Sequence, residues 1–348
     1  MTERVFFLGA GFSKAIDGNY PLMDGLTRNI RQKLDKESVA RHYDEIAPLI
    51  QDNVESLLTY LSTDFPWKSD VTKYSNHALY AAIIKKISEE FEKLAEQTCR
   101  QQIKKPIWEN FAQFVRQNAE HCNFITLNYD ILLESMLLKY FMLEENDRYV
   151  VFKGFYSYPI NYICDRDQSA ITGGIYEGKL PAILKLHGSA NWFWAGISPS
   201  DNLYYRMWNR YEEESAFLGL KPYIIPPVMD KNAFYNHIAI HALWQQAEKI
   251  LKGADEVYII GFSFPQTDLS VKYLFQSALR HSNAKIYVVN PNTEQDLRIN
   301  YDKVFGDSPN IIYEYVGKNG KDYDVTERFI SEKLLNTKFF PNQPIDLK

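Results

Sequence analysis

Residues Arg4 to Leu26 constrain the fold of this chain more than any other stretch. Five residues fit for a buried strand, Arg4-Val5-Phe6-Phe7-Leu8, run into Gly9-Ala10-Gly11, pass Ser13 and turn again at Gly18-Asn19-Tyr20-Pro21. Apolar residues then recur at Leu22, Leu26, Ile30 and Leu34, the spacing of one helix face. A strand that runs into glycines lets the backbone come close to a ligand, with N–H groups free for phosphate oxygens. The same glycines serve equally for a tight strand-to-helix turn with no ligand, and alone they leave the two readings level. Lys14 stands where the dinucleotide fingerprint GxGxxG needs its third glycine. No second strand with a terminal acid follows about 20 residues on, as the dehydrogenase pattern requires. A nucleotide site here is therefore not a dehydrogenase site.

The 348 residues are 45% hydrophobic and 24% charged, which predicts a packed core rather than disorder. A net charge of −5 and the lack of a long Lys/Arg run argue against direct nucleic-acid binding. The N-terminus enters a strand at once and no apolar run approaches membrane-spanning length, so a soluble, cytoplasmic protein without secretory signal or membrane contact is expected. Cys99, Cys122 and Cys164 are too scattered for CxxC metal spacing and too few for a disulfide framework, and are read as packing residues.

Between residues 36 and 118 the apolar pattern is helical: Val54, Leu57, Leu58 and Leu61, then Tyr80, Ile83, Ile84, Ile87, Phe91 and Leu94, then Ile107, Phe111 and Phe114. This segment reads as a helical insertion. A strand is expected over Asn123–Asp130 and a helix over Ile131–Tyr140. Residues 141–180 read as a second, loop-rich insertion. Further strands are expected at Ala182–Leu186, Tyr223–Ile225, Val257–Ile260 and Ile286–Val289, with an edge strand at Asn310–Val316. Helices are expected around Leu243–Leu251, Val271–Leu279 and Val325–Leu335; 195–221 reads as loop. Short apolar, β-branched strands alternating with helices predict an α/β fold, a Rossmann-like parallel sheet flanked by helices. Residues 1–315 form one main domain in this reading, and 316–348 a C-terminal tail.

Polar residues gather where strands end: Gly9 to Ser13, Asn128 with Asp130, His187, Ser263, and Asn290. Ligands of an open parallel sheet bind beyond the carboxyl ends of its strands. Thr126, Asn128 and Asp130 are two apart and are expected on one face of their strand. One polar strand end is usually a helix cap; five in register are harder to explain that way. No GxxxxGK[ST] loop, GxSxG elbow or metal-spaced cluster is present. One histidine, an amide, a carboxylate and a glycine-rich loop suit a site that binds a dinucleotide and cleaves its glycosidic bond. Cationic nicotinamide leaves without a strong general acid, and a neutral imidazole can direct the nucleophile.

Gly9-Ala10-Gly11-Phe12-Ser13, Thr126-Leu127-Asn128-Tyr129-Asp130, Leu186-His187-Gly188-Ser189, Gly261-Phe262-Ser263 and Asn290-Pro291-Asn292 resemble, in order and spacing, the sirtuin-like (SIR2) family. They look closest to its bacterial NAD+ hydrolase branch in anti-phage defence. Asn53-Val54-Glu55-Ser56-Leu57-Leu58 and Ile259 to Asp268 share that branch's look, and the likeness runs from about residue 4 to about 295. The resemblance implies that Asn128 positions the nicotinamide ribose or the attacking water, that Asp130 holds the nicotinamide end, and that His187 is the general base. It implies that Gly9, Ala10, Gly11 and Ser13 cradle the pyrophosphate, with Thr126 also at the binding site. It further implies that Gly261, Phe262, Ser263 and Asn290 line the adenosine side, and that Met23 falls where the family places its mobile loop over nicotinamide.

Two departures bear on activity. Deacetylase sirtuins carry two CxxC zinc pairs, absent here, so no zinc is expected and the helical insertion takes the zinc module's place. After Pro21 come Leu22-Met23-Asp24 rather than Asp-Phe-Arg. The resemblance then implies an NAD+ glycohydrolase with NAD+ as substrate, depleting NAD+ in anti-phage defence (abortive infection). It also implies control by self-assembly into a homo-oligomer or by a separate defence protein, an ATPase or an Argonaute-like protein. A non-catalytic NAD or ADP-ribose-binding sensor or scaffold is the alternative, and a protein deacylase stands behind both.

Overall fold

The computed structural model describes residues 1–22, 25, 30–34, 36–50, 54–100, 105–142, 148–158, 160–162, 179–208, 217–228, 231, 234–265, 268–306, 308–318 and 324–337. Six strands form one parallel sheet: β1 (Arg4–Leu8), β2 (Cys122–Thr126), β4 (Ala182–Lys185), β8 (Glu256–Ile260), β9 (Lys285–Asn290) and β10 (Ile311–Val316), in the order β10-β9-β8-β1-β2-β4. The chain builds outward from β1 to β4, then returns to the other side of β1 and builds outward again. Strand order thus reverses between β1 and β8, the position at which crossover loops diverge and leave a crevice. The Rossmann-like parallel sheet flanked by helices is therefore observed as expected.

The inner strands are covered on both faces, so they read as continuous apolar runs. Val5 to Leu8 are at most 1% exposed, and Val257, Ile259 and Ile260 are fully buried. On one face Phe6 stacks on Phe124 and packs at a tilt against Tyr258, each at 4.9 Å, and meets Phe111 from the helix Pro106–Gln117. On the other face Phe7 packs edge-on against Phe275 of the helix Leu269–Leu279 at 4.9 Å. Between β1 and β2 the described residues are mostly helical, including Glu37–Ile46, Val54–Ser62 and the long helix Asp70–Arg100. No helix of the described residues is long and apolar enough to cross a membrane.

Several elements depart from expectation. β2 stops at Thr126, so Asn128 and Asp130 lie on a loop and not on one strand face with Thr126. The loop has its own local bonds: Thr126 Oγ1 accepts from the Asn128 amide at 3.0 Å, and Asp130 Oδ1 from the Leu132 amide at 3.1 Å. The helix Glu294–Phe305 has no counterpart among the expected elements; it buries Leu297, Tyr301 and Val304, and Thr293 caps it by accepting from the Asp296 amide.

A second sheet combines β3 (Asn161–Tyr162), β5 (Gly188–Trp194), β6 (Tyr204–Tyr205) and β7 (Lys221–Ile224) in the order β3-β6-β5-β7. Segments expected to be loops thus carry short strands. Most of 141–180 lies outside the described residues, as do Met23, Asn53 and Cys164. At the C-terminal end, Phe329 is fully buried against Tyr258 at 5.1 Å and Tyr315 at 5.3 Å.

Candidate active site

A cavity of about 460 Å³ lies over the ends of β1, β2, β4, β8 and β9. It is lined by Gly9, Ala10, Gly11 and Ser13 after β1, Asn128 and Asp130 after β2, and His187 after β4. Gly261, Phe262 and Ser263 after β8 and Asn290 of β9 complete that set. Of the candidate residues from the sequence, two are not in it. Thr126 is buried beneath, its hydroxyl donating to the Leu8 carbonyl at 2.9 Å, and Met23 lies outside the described residues.

The glycines bring the two loops at the strand-order reversal into contact with each other. A Cβ on Gly9 would meet the Gly261 carbonyl oxygen at 2.5 Å, and one on Gly261, where φ is +66°, would meet the Phe12 amide nitrogen at 2.4 Å. The Gly9 amide donates to the Ile260 carbonyl at 2.9 Å and the Gly11 amide to the Gly261 carbonyl at 3.0 Å. Those two N–H groups are thus engaged within the protein rather than free for phosphate. Ala10 opens the helix Ala10–Ile16, and its amide has no acceptor within that helix. Phe264, three residues past Gly261, holds φ at +50°, a strained conformation for a bulky residue. Its ring is gripped by Phe275 at 5.1 Å and Tyr301 at 4.9 Å.

Asn128, Ser13 and Asp130 form a directed chain. Asn128 Nδ2 donates to the Gly9 carbonyl at 2.9 Å and to Ser13 Oγ at 3.0 Å; Ser13 Oγ donates to Asp130 Oδ2 at 2.6 Å. A backbone carbonyl accepts only, so the amide nitrogen must face Gly9 and the orientation of Asn128 is determined. Both its N–H groups are used, and Oδ1 is what Asn128 offers a ligand. Asp130 is 7% exposed and acts through its neighbours, holding Ser13 and capping Leu132. Asn290 is similarly engaged: Nδ2 donates to the Phe262 carbonyl at 3.2 Å, and Oδ1 accepts from the Asn292 amide at 3.1 Å.

His187 is 5% exposed, and its buried Nε2 has no hydrogen-bond partner among the described residues. Burial pushes its pKa down to about 4; Asp268 acts against that shift and Lys231 adds to it. The imidazole is uncharged near neutral pH. Lys231 and Asp268 line the same cavity as an ion pair at 2.7 Å, with side chains 4% and 11% exposed. Glu55 and Tyr129 also line it. Burial holds the Tyr129 phenol protonated, with Asp268 and Glu55 adding to the effect, and its hydroxyl donates to the Ile225 carbonyl.

Sequence reasoning misses Glu55, Lys231, Asp268 and Tyr129 as lining residues. Glu55 and Asp268 fall in the two additional stretches that share the resemblance, and Tyr129 lies between two candidates. Lys231 follows Pro226-Pro227 in a segment without periodicity and carries no signal. Among the described lining residues, the carboxylates of Glu55, Asp130 and Asp268 outnumber the one ammonium, so the cavity favours cationic groups. An uncharged imidazole, an oriented amide oxygen and an acidic wall suit stabilisation of a developing cation and delivery of a nucleophile to it. No group of three or more His, Cys, Asp or Glu among the described residues is placed to hold a metal ion.

No family model matches the chain. No curated protein matches it significantly. Among solved structures, a Sir2 homologue in complex with NAD is similar at 14% identity and a TM-score of 0.45, covering 96% of this chain and 91% of that one. A Sir2 homologue variant in complex with ADP-ribose is similar at 15% identity and a TM-score of 0.44, covering 97% and 96%. Sir2Tm bound to a propionylated peptide is similar at 11% identity and a TM-score of 0.36, covering 94% and 92%. At identities this low, no residue's role passes from those proteins to this chain.

Proposed function

We propose that the chain binds NAD+ and hydrolyses it to nicotinamide and ADP-ribose. The observation that carries this reading is the pairing, in one cavity at the strand-order reversal, of uncharged His187 with an Asn128 whose amide orientation is set by Gly9 and Ser13. The cavity volume lies in the range of small-molecule sites. Water attacks C1′ of the nicotinamide ribose as the C–N glycosidic bond breaks. The bond's electron pair passes to the ring nitrogen, so nicotinamide departs neutral, and the water proton passes to the His187 imidazole. Asn128 Oδ1 accepts from the ribose or the water and fixes the line of attack. The carboxylate-rich wall stabilises the oxocarbenium-like centre.

The resemblance extends this proposal to depletion of NAD+ in anti-phage defence, under control by self-assembly or a separate defence protein. Nicotinamide release from NAD+ tests the chemistry. His187→Ala and Asn128→Ala are each expected to lower it by about 100-fold or more, the range for loss of an acid–base or positioning group. Wild-type rates in both variants would sink the assignment. A second reading, a non-catalytic NAD+ or ADP-ribose sensor, is favoured by one observation: an imidazole with its pKa at about 4 is a weak base. Calorimetric NAD+ binding with no product from the activated protein would select it.

A further inference from the structure

β2 ends before it reaches Asn128, so that residue and Asp130 depend on something other than the strand ladder for their position. Directly beneath them lies a buried charge. Lys185 is the last residue of β4, two before His187, and its ammonium donates to the Asp130 carbonyl. The same ammonium pairs with Glu134 of the helix Leu132–Phe141 at 3.1 Å, and each side chain is 1% exposed. Tyr156 donates its hydroxyl to the Glu134 carboxylate at 3.3 Å, and its ring packs edge-on against Trp192 at 5.1 Å. Burial raises the Glu134 carboxyl, and Lys185 opposes that rise. A fully buried ion pair is weak evidence for stability, because apolar residues of the same volume often do as well. One whose ammonium also holds the Asp130 carbonyl, and so ties the loop carrying Asn128 to the strand that ends just before His187, has another use.

We infer that Lys185 and Glu134 are positioning residues, a strut that sets Asn128 and Asp130 at a fixed distance from His187. The inference rests on the hydrolase reading only for its kinetic readout. Lys185 is not among the residues that line the cavity; it acts through the Asp130 carbonyl and thence through Ser13 and Asn128. A group displaced by about 1 Å from its working position can cost about 100-fold in rate.

The decisive variant is Lys185→Met/Glu134→Leu, which removes both charges and leaves neither unpaired. It is expected to unfold within a few degrees of wild type and to release nicotinamide about 100-fold more slowly. The loss should fall in kcat, with KM for NAD+ changed by less than about tenfold, since the cavity residues after β1, β8 and β9 are left unaltered. Glu134→Gln keeps an acceptor beside Lys185 and is expected to keep most of the rate that the double variant loses; if the double variant does not fold, Lys185→Met alone takes its place, a slowed kcat supporting the inference and a wild-type kcat overturning it. Wild-type kcat in the folded double variant overturns the inference, because the pair is then packing alone. If wild-type protein itself releases no nicotinamide, the hydrolase reading fails and the strut is judged by crystallography. Asn128 Nδ2 leaving the Gly9 carbonyl in the double variant supports it, and an unmoved Asn128 overturns it.

Discussion

Acidification from pH 7 to pH 4 drives a proton toward the His187 imidazole, which the fold holds uncharged. The ordinary value for that group is 6.5 and burial lowers it to about 4. Between those two values the unfolded chain binds the proton and the native protein does not. Stability therefore rises with pH across the window: it is fully present above 6.5, falls as pH drops from 6.5 toward 4, and levels out below. Each tenfold weakening of proton affinity is worth about 1.4 kcal/mol, so the loss is about 3 kcal/mol. With an unfolding entropy of about 2 cal/mol/K per residue, that is about 4 °C in Tm for a chain of this length. The comparison that isolates it is wild type against His187→Gln, because His237, Glu92 and Glu134 also titrate away from their ordinary values. Thermal scans of both proteins at half-unit steps of pH should show wild type losing about 4 °C more than the variant over this range. Parallel curves would refute the buried, uncharged imidazole and with it the proposed base. The same reasoning predicts nicotinamide release with no inflection near pH 6.5.

Gly261→Ala must place a Cβ 2.4 Å from the Phe12 amide nitrogen at a φ of +66°, and should destabilise by about 2–4 kcal/mol, read as a lower Tm together with weaker ADP-ribose binding. Asp130→Ala leaves the Ser13 hydroxyl and the Leu132 amide without their acceptor, and should cost about 1–3 kcal/mol in a denaturant titration while slowing nicotinamide release. Lys231→Met removes a charge that depresses the His187 pKa, so an NMR titration of the His187 ring should move upward, whereas Asp268→Asn should move it downward.

Legibility in the sequence follows burial. β1, β8 and β9 are covered on both faces, so Val5 to Leu8, Val257 to Ile260 and Ile286 to Val289 stand out as apolar runs, and their polar ends mark the cavity. The helix Glu294–Phe305 does not stand out, because it buries only Leu297, Tyr301 and Val304 and leaves Ile299 61% exposed. Of the second sheet, only β7 is legible, as the strand expected at Tyr223–Ile225; two-residue strands such as Tyr204–Tyr205 have no period. That the Gly9 and Gly11 amides are engaged cannot be seen in a motif, because their acceptors, Ile260 and Gly261, lie some 250 residues away along the chain.

The contact between the loops at Gly9–Gly11 and Gly261 bears on how such a chain can diversify. Gly9 and Gly11 have no room for a side chain while Gly261 stays as it is, and Gly261 has none while they do. A library that randomises one loop alone would return almost nothing but glycine at those positions. New specificity would have to enter through residues outside the crossing, such as Ser263 and Asn292, which border the cavity without occupying the contact. Positions 9, 11 and 261 would have to change together, although two of them lie near the start of the sequence and the third three-quarters of the way along it.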